Sequence, residues 1–311
     1  MAITFFEKVR GVALLAPWLT YVFGSNLVVS LLLPLNLFLP IVLYNVSSVI
    51  ANSVWSWIQE LFVQSNHAQI TVSASQELPR EESAIIVANH VSWTDFYMIQ
   101  ELALRAGMLG RCRWFAKKQL RWVPFLGWGL WAMGMPFVSG NWTRDRKQIE
   151  KVFTGITQRK WPVWLISYSE GCRFTPSRYT TGVQWCKDHD RPIMKHTLYP
   201  RMHGFVATVN TLRHTKHVRG VYDITIAYAH GKNFMEAPSF WETIATSDLS
   251  KAGYKFYVHV DRYEMKELPE TKEDLAKWLE GRWVKKGEKL EELKEKLARG
   301  EDWEVDNTRP E

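Results

Sequence analysis

The sequence from residue 85 to residue 95 reads Ile85-Ile86-Val87-Ala88-Asn89-His90-Val91-Ser92-Trp93-Thr94-Asp95. A short apolar run that ends abruptly in a polar histidine is typical of a buried strand followed by a loop. Ligands of open α/β sheets bind at the carboxyl ends of the strands, so His90 lies where a functional residue is expected.

His90 and Asp95 are five residues apart, so on one continuous helix they would not share a face. They can meet only across a turn, with Asp95 in the first turn of the next helix. We predict that Ser92 is the N-cap of that helix, because Ser92-Trp93-Thr94-Asp95 resembles a capping box.

Two interpretations fit this spacing. In the first, Asp95 only caps a helix and His90 is an ordinary loop residue. In the second, Asp95 accepts a hydrogen bond from one imidazole nitrogen and leaves the other nitrogen as a general base. That arrangement fixes the imidazole tautomer and stabilises the imidazolium that forms.

A second polar cluster follows another apolar run, Val163 to Ile166, and contains Glu170, Gly171 and Arg173. We expect it at the same edge of the sheet as His90. Glycine permits a tight turn, and arginine can hold a phosphate through two parallel hydrogen bonds. The alternative is a surface turn with a Glu–Arg ion pair.

The middle of the chain alternates apolar runs with longer mixed segments, which predicts an α/β domain with a mostly parallel sheet flanked by helices. The predicted strands are Ala84–Ala88, Val163–Ser167, Val221–Ala229 and Phe256–Val260. The predicted helices are Asp95–Arg105, Asp145–Gln158, Gly182–Asp188 and Lys272–Lys286.

The N-terminal part has no charged residue from Gly11 to Gln59. This run is too long for a secretory signal, and a membrane-spanning helix needs about 20 apolar residues. Pro34 and Pro40 would break a single helix, which favours two helices or a hairpin embedded in the membrane. Several of the 16 tryptophans lie in apolar segments, where they indicate either core packing or a membrane interface.

The formal net charge of +7 favours anionic partners, which include nucleic acid, a membrane surface and a phosphate-bearing substrate. The long uncharged run and the absence of a recognisable motif argue against nucleic acid. Three cysteines without paired spacing predict neither a disulfide framework nor a zinc site. A cytosol-facing, reducing environment fits them.

The chain divides on these grounds into three parts. Residues 1–66 are the predicted membrane anchor, and residues 67–284 the predicted catalytic domain. Residues 285–311 form a strongly charged tail, which we expect to be a solvated helix that contributes to solubility.

The motifs together resemble the 1-acylglycerol-3-phosphate acyltransferase family, which belongs to the glycerolipid acyltransferases. The family's NHxxxxD motif is present as Asn89-His90 to Asp95, and its EGTR motif as Glu170-Gly171-Cys172-Arg173. Its Pro-containing fourth motif is matched by Leu198-Tyr199-Pro200-Arg201. The resemblance extends over roughly residues 84–282.

The resemblance implies a function and a role for each motif residue. It implies acyl transfer from acyl-CoA to a lysophospholipid, most directly 1-acylglycerol-3-phosphate, with no metal and no further cofactor. His90 is then the general base, oriented by Asp95. The phosphate-binding candidates are Arg173, Arg201 and Lys117. Supporting residues are Glu170, which would position Arg173 or an acceptor hydroxyl, together with Gly171, Asn89 and Pro200.

One position departs from the family pattern. The second motif usually reads FLxR, whereas this chain has Phe137-Val138-Ser139-Gly140, with glycine in the arginine's place. Either a neighbour such as Lys117, Arg144 or Arg201 supplies the charge, or the acceptor headgroup differs.

The alternatives are therefore another acceptor such as lysophosphatidylinositol, exchange of chains without CoA, or a lipid-binding relative without catalysis. A covalent route through Ser92 or Cys172 is a further alternative. We predict a membrane location in the endoplasmic reticulum, with membrane lipids as neighbours and the catalytic domain facing the cytosol.

Overall fold

A computed structural model describes residues 3–123, 126–139 and 142–303. Gly140 lies outside the described residues, as does the side chain of Arg144. The helices are α1 Phe5–Leu31, α2 Pro40–Glu60, α3 Asp95–Arg105, α4 Leu126–Ala132, α5 Trp142–Arg159, α6 Pro176–Asp188, α7 Met202–Leu212, α8 Phe240–Ala245 and α9 Lys272–Ala298. The strands are β1 Ile70–Ala74, β2 Ser83–Ala88, β3 Cys112–Trp114, β4 Ala116–Lys117, β5 Phe137–Val138, β6 Trp164–Tyr168, β7 Val218–His230, β8 Asn233–Phe234 and β9 Tyr254–Glu264.

The main sheet has the strand order β1-β9-β7-β2-β6-β3, and the short strand β8 pairs with β7. Strands β7, β2, β6 and β3 run parallel to one another, whereas β9 is antiparallel to β7. Ala88, the last residue of β2, is level with Tyr168 on β6 and Ile224 on β7. The predicted fold class, a mostly parallel α/β sheet flanked by helices, is confirmed.

Both faces of the central strand are buried, because β2 sends alternate side chains into two cores. Ala84, Ile86 and Ala88 pack in a cluster with residues of α3 and the end of α2. Ile85 and Val87 pack in a second cluster with residues of α5, α7 and α9. A strand buried on both faces reads as one continuous apolar run, which is the pattern of residues 84–88.

Strand β7 is much longer than β2. Its residues Ile226 to His230 continue past the level of Ala88, where the pairing with β2 has ended and the pairing with β9, which begins at Gly220, continues. The carboxyl end of β2 is therefore bordered by a wall of β7, and side chains on that wall can reach the loop that follows β2.

The N-terminal segment forms two helices, as the prolines predicted. Pro34 lies in a short 3₁₀ turn, Leu33–Leu37, and Pro40 is the first residue of α2. The ranges Phe5–Leu31 and Pro40–Ser65 are long and apolar enough to cross a membrane, which indicates membrane association.

The inner face of α2 is part of the protein core. The Gln59 side chain donates to the Tyr97 carbonyl at 3.2 Å, and Phe62, just beyond α2, stacks on the Tyr97 ring at 4.0 Å. Trp18 on α1 donates to the Val54 carbonyl at 3.1 Å. The two N-terminal helices are therefore joined to each other and to α3.

The C-terminal segment corrects one expectation, that the tail is only a solvated helix. Helix α9 continues without interruption across residue 285, and Leu290 and Leu293 are buried against β7 and β9. Lys286 is fully buried, with its Nζ 2.7 Å from Asp223 Oδ1 and 2.6 Å from the Ile224 carbonyl. The proposed division at residues 66 and 284 stays a prediction.

Candidate active site

The loop after β2 is fixed to β7 by Asn89. The Asn89 amide donates to the Ile226 carbonyl at 2.9 Å, and the Ile226 N–H donates back to Asn89 Oδ1 at 2.8 Å. Asn89 is buried and its side chain thereby continues the ladder beyond the end of β2. This anchor sets the position of His90, the next residue.

The predicted contact between His90 and Asp95 is present. His90 Nδ1 lies 2.7 Å from Asp95 Oδ2, and the Asp95 side chain is completely buried. Three further groups donate to this carboxylate: the Val91 N–H at 2.7 Å, the Ser92 N–H at 3.1 Å and the Tyr228 hydroxyl at 2.7 Å. Several donors compensate the buried charge, as a buried carboxylate requires.

The structure corrects the role predicted for Ser92. Helix α3 begins at Asp95 as expected, but the residue before it is Thr94 and no side chain caps the helix there. Instead, the Asp95 carboxylate reaches back to the N–H groups of Val91 and Ser92. The turn is therefore closed by the acid itself.

The geometry leaves one imidazole nitrogen available for chemistry. An ionised Asp95 can only accept, so the proton on the His90 ring lies on Nδ1. Nε2 has no hydrogen-bond partner in the described part of the chain, and 21% of the His90 side chain is exposed. The Tyr168 ring stacks on the imidazole at 4.0 Å and fixes its plane. Such an imidazole can accept a proton from a bound hydroxyl.

The second cluster lies beside His90, as predicted from the two strand ends. The Phe174 N–H donates to the His90 carbonyl at 2.7 Å, which joins the loop after β6 to the loop after β2. The Arg201 N–H donates to the Ser169 carbonyl at 2.7 Å, which adds the fourth motif. Pro200 is buried immediately before α7 begins at Met202.

Gly171 has two reasons to be glycine. Its φ of +71° lies in the left-handed region, and a Cβ at this position would be 2.8 Å from Arg201 Nε. The side chain of Arg201 therefore lies against the bare backbone of Gly171. The EGTR-type motif and the fourth motif are in direct contact here.

Glu170 does not make the contact expected with Arg173. Only 3% of Glu170 is exposed, whereas Arg173 is exposed, and within the described residues neither Glu170 oxygen has a hydrogen-bond partner of ordinary geometry. Burial raises the pKa of Glu170 to about 8, and the negative charge of Asp95 adds to that rise. The N–H groups of Leu198, Trp283 and His90 oppose it. Glu170 is therefore mostly neutral at pH 7.

The predicted phosphate-binding residues share exposure and positive charge. Arg173 and Arg201 are exposed beside Gly171, and neither forms a salt bridge in the described part of the chain. Lys117 is exposed on β4, which continues from the carboxyl end of β3. No described contact joins Lys117 to His90 or to either arginine.

Tyr228 and Tyr168 are the two site residues that the sequence did not indicate. Tyr228 lies within a predicted strand, but its partner Asp95 is 133 residues away in sequence. Tyr168 follows the predicted end of its strand directly. An alternation of apolar residues gives the face of a strand and not the residue opposite it, so no sequence signal identified either contact.

Within the described residues, no group of three or more histidine, cysteine, aspartate or glutamate side chains could hold a metal ion. Among the residues that the structure describes, the acid–histidine contact at this strand end is the His90–Asp95 pair. The described groups at this strand end include the His90 imidazole, the Glu170 carboxyl group and the guanidinium groups of Arg173 and Arg201.

Comparison with known proteins covers most of the chain. The family model described as Acyltransferase matches residues 69–229, more than half of the chain, and the model described as Acyltransferase C-terminus matches residues 248–305. A 1-acyl-sn-glycerol-3-phosphate acyltransferase 2 of Brassica napus is 27% identical over 247 residues, which is 78% of this chain and 60% of the relative. A 1-acyl-sn-glycerol-3-phosphate acyltransferase delta of Bos taurus is 32% identical over 199 residues, which is 64% of this chain and 50% of the relative.

The chain thus spans about 60% of the length of the first of these relatives. Among solved structures, the 1-acyl-sn-glycerophosphate acyltransferase PlsC from Thermotoga maritima aligns with a TM-score of 0.49 and 17% identity, over 92% of this chain and 98% of that one. Since the first family model covers more than half of the chain and spans both strand ends that carry the site, this chain belongs to the acyltransferase family, and it is similar to the 1-acyl-sn-glycerol-3-phosphate acyltransferases named above.

Proposed function

We propose that this protein transfers an acyl group from acyl-CoA to the free hydroxyl of 1-acylglycerol-3-phosphate, which yields phosphatidic acid and free CoA. The observation that supports it most is the His90–Asp95 pair at the end of β2, with Nε2 free and two unpaired guanidinium groups nearby. The relatives named above carry this activity in their names.

His90 Nε2 takes the proton of the acceptor hydroxyl as its oxygen attacks the thioester carbonyl. The tetrahedral intermediate then expels the CoA thiolate, and the protonated His90 returns the proton to the leaving sulfur. Asp95 keeps Nδ1 protonated throughout and stabilises the transient imidazolium. General base catalysis of this kind contributes about 10²–10⁴ in rate.

The acceptor phosphate binds Arg173 and Arg201 in this proposal, with Lys117 as a third cation. Both guanidinium groups are exposed and lack carboxylate partners, so their N–H donors are available to an incoming anion. The apolar N-terminal helices hold the protein at a membrane, where both substrates have their acyl chains. We place this membrane in the endoplasmic reticulum, with the site facing the cytosol.

Gly140 supports one alternative acceptor. If its missing arginine leaves the headgroup site larger, the acceptor is a lysophospholipid such as lysophosphatidylinositol. The same base and the same donor would serve that reaction.

The test is an acyl-transfer assay on the full chain in detergent micelles, with radiolabelled oleoyl-CoA and a panel of lysophospholipids. We expect 1-acylglycerol-3-phosphate to be the best acceptor and His90→Ala to lower kcat by at least ~10²-fold. His214→Ala, at an exposed histidine after α7, is the matched control.

The other outcomes are also informative. If only lysophosphatidylinositol is acylated, the proposed acceptor is wrong and the assignment of His90 as the base still stands. Equal activity of wild type and His90→Ala would refute the base assignment. A wild-type protein that binds lysolipid but transfers nothing would favour a lipid-binding function.

A further inference from the structure

The guanidinium of Arg173 is held by an aromatic ring instead of an acid. Its Cζ lies over the Trp93 ring, 5.5 Å from the ring centroid. No carboxylate in the described part of the chain forms a salt bridge with it, and Glu170, three residues earlier, is buried. The charge of Arg173 is therefore exposed and uncompensated.

Trp93 is unusually exposed for so large an apolar side chain, with 63% of it open to solvent. It lies in the turn between His90 and Asp95, while Arg173 lies in the loop after β6. The two loops are already joined by the hydrogen bond from Phe174 N–H to the His90 carbonyl. The ring therefore forms a second connection between the two loops, this time through side chains.

The two kinds of partner have different consequences for phosphate binding. A carboxylate occupies the N–H edge of a guanidinium, which is the edge that a phosphate needs. An aromatic ring attracts the cation through its face and leaves that edge open. A ring can thus restrict the position of Arg173 without competing for its hydrogen-bond donors.

We propose that Trp93 is a positioning residue that holds the Arg173 guanidinium over its ring so that its N–H edge faces the acceptor phosphate. The proposal rests on the phosphate role given to Arg173 above. It adds a recognition element that lies inside the histidine–aspartate turn and acts on acceptor binding, separate from proton transfer.

The test compares four variants of the full chain: Trp93→Leu, Trp93→Phe, Arg173→Ala and the double variant Trp93→Leu/Arg173→Ala. Leucine keeps apolar bulk and removes the ring, whereas phenylalanine keeps a ring. The measurements are kcat and KM for 1-acylglycerol-3-phosphate, and its equilibrium binding in mixed micelles. A monoacylglycerol, which lacks the phosphate, is the comparison acceptor.

We expect Trp93→Leu to raise KM and the dissociation constant for 1-acylglycerol-3-phosphate by roughly 2- to 5-fold, the range of an exposed cation–π contact. The change in kcat should stay below about threefold. Trp93→Phe should restore most of the binding. The double variant should bind no more weakly than Arg173→Ala, because the ring acts only through the guanidinium.

The proposal is overturned if the two single effects multiply in the double variant, or if Trp93→Leu weakens the monoacylglycerol reaction equally. It is also overturned if leucine and phenylalanine give the same binding. If the wild type transfers no acyl group, the proposed function fails, and the binding measurements alone still decide whether Trp93 and Arg173 act together.

Discussion

The Tyr228 hydroxyl on β7 donates a 2.7 Å hydrogen bond to Asp95 Oδ1, while Asp95 Oδ2 holds His90. The acid is thus fixed from the interior of the sheet on one side and holds the imidazole on the other. Burial and the charge of Asp95 raise the pKa of the Tyr228 hydroxyl well above its usual value, so it acts as a donor at all physiological pH values.

Replacement of Tyr228 by phenylalanine removes this donor and leaves the ring in place. A hydrogen bond to a charged group contributes about 1.5–3 kcal/mol, so we expect a loss of stability of that order. We also expect kcat to fall about tenfold, because Asp95 is held less firmly. Urea denaturation and steady-state kinetics measure the two effects. An unchanged kcat would show that the backbone donors of Val91 and Ser92 are sufficient.

Asp95→Asn should be more damaging to the reaction. An amide N–H placed against His90, Val91 or Ser92 meets another donor, so the imidazole loses its fixed tautomer. We expect kcat to fall by ~10²–10⁴-fold with a small change in KM. Asp188→Asn, at an exposed position of α6, is the control. Activity within threefold of wild type would contradict the orienting role of Asp95.

Glu170 should make stability depend on pH. Its folded pKa is about 8, above the ordinary value of 4.5, so the folded protein keeps a proton that the unfolded chain releases. The contribution of Glu170 to the free energy of unfolding is therefore fully present below about pH 4.5 and is lost as the pH rises towards 8. Glu170→Gln stays neutral, so we expect its advantage over wild type to grow through this window to a few kcal/mol and then level off. Urea denaturation from pH 5 to 9 measures it, and parallel curves would refute it.

Gly171→Ala should affect acceptor binding through Arg201. The added Cβ would meet the Arg201 side chain. The alanine would also have to adopt the left-handed backbone conformation of Gly171, which costs about 1–2 kcal/mol. We expect a higher KM for the acceptor and a lower melting temperature. Gly182→Ala is the matched control, because it lies inside α6 with nothing within 4 Å of the added Cβ. Helix propensity predicts that this control is slightly stabilised.

The buried ion pair between Lys286 and Asp223 should stabilise the fold only when both residues are present. Lys286→Met leaves the Asp223 carboxylate buried without its cation, and we expect a loss of about 3–5 kcal/mol in stability. Adding Asp223→Leu removes the uncompensated charge and should recover a large part of that loss. Urea denaturation of the two variants measures the difference. A double variant no better than the single one would mean that the pair does not act as a unit.

The local patterns predicted the strands, α3 and the positions of His90 and Asp95. These features depend on short apolar runs and on residues close in sequence. The pattern could not predict Tyr228 opposite Asp95, because that contact depends on how far β7 extends past β2. It also misassigned the acceptor in this turn, because the Ser92 hydroxyl does not cap α3, whereas the Asp95 carboxylate accepts the N–H groups of Val91 and Ser92.

The sequence of the C-terminal helix contains an apolar periodicity that is easily overlooked among its many charged residues. Leu290, Leu293 and Leu297 recur at helical spacing among lysines and glutamates, and two of them are buried. Likewise, Glu170 and Arg173 invite an ion-pair interpretation by spacing alone. The structure separates them because Glu170, two residues after the end of β6, is buried, while Arg173, beyond the turn at Gly171, is exposed and lies over Trp93.

The membrane-side helix α2 is also a wall of the catalytic domain. Ser48 receives a hydrogen bond from the fully buried Arg113, and Gly110 lies so close to the Ser48 carbonyl that a side chain there would not fit. Phe62 covers Tyr97 at the far end. A soluble fragment made by deleting residues 1–66 would therefore open the core and strip Arg113 of a partner. Helix α2 is thus both an apolar helix long enough to cross a membrane and a part of the core of the domain, so its inner face restricts which changes the N-terminal segment can tolerate.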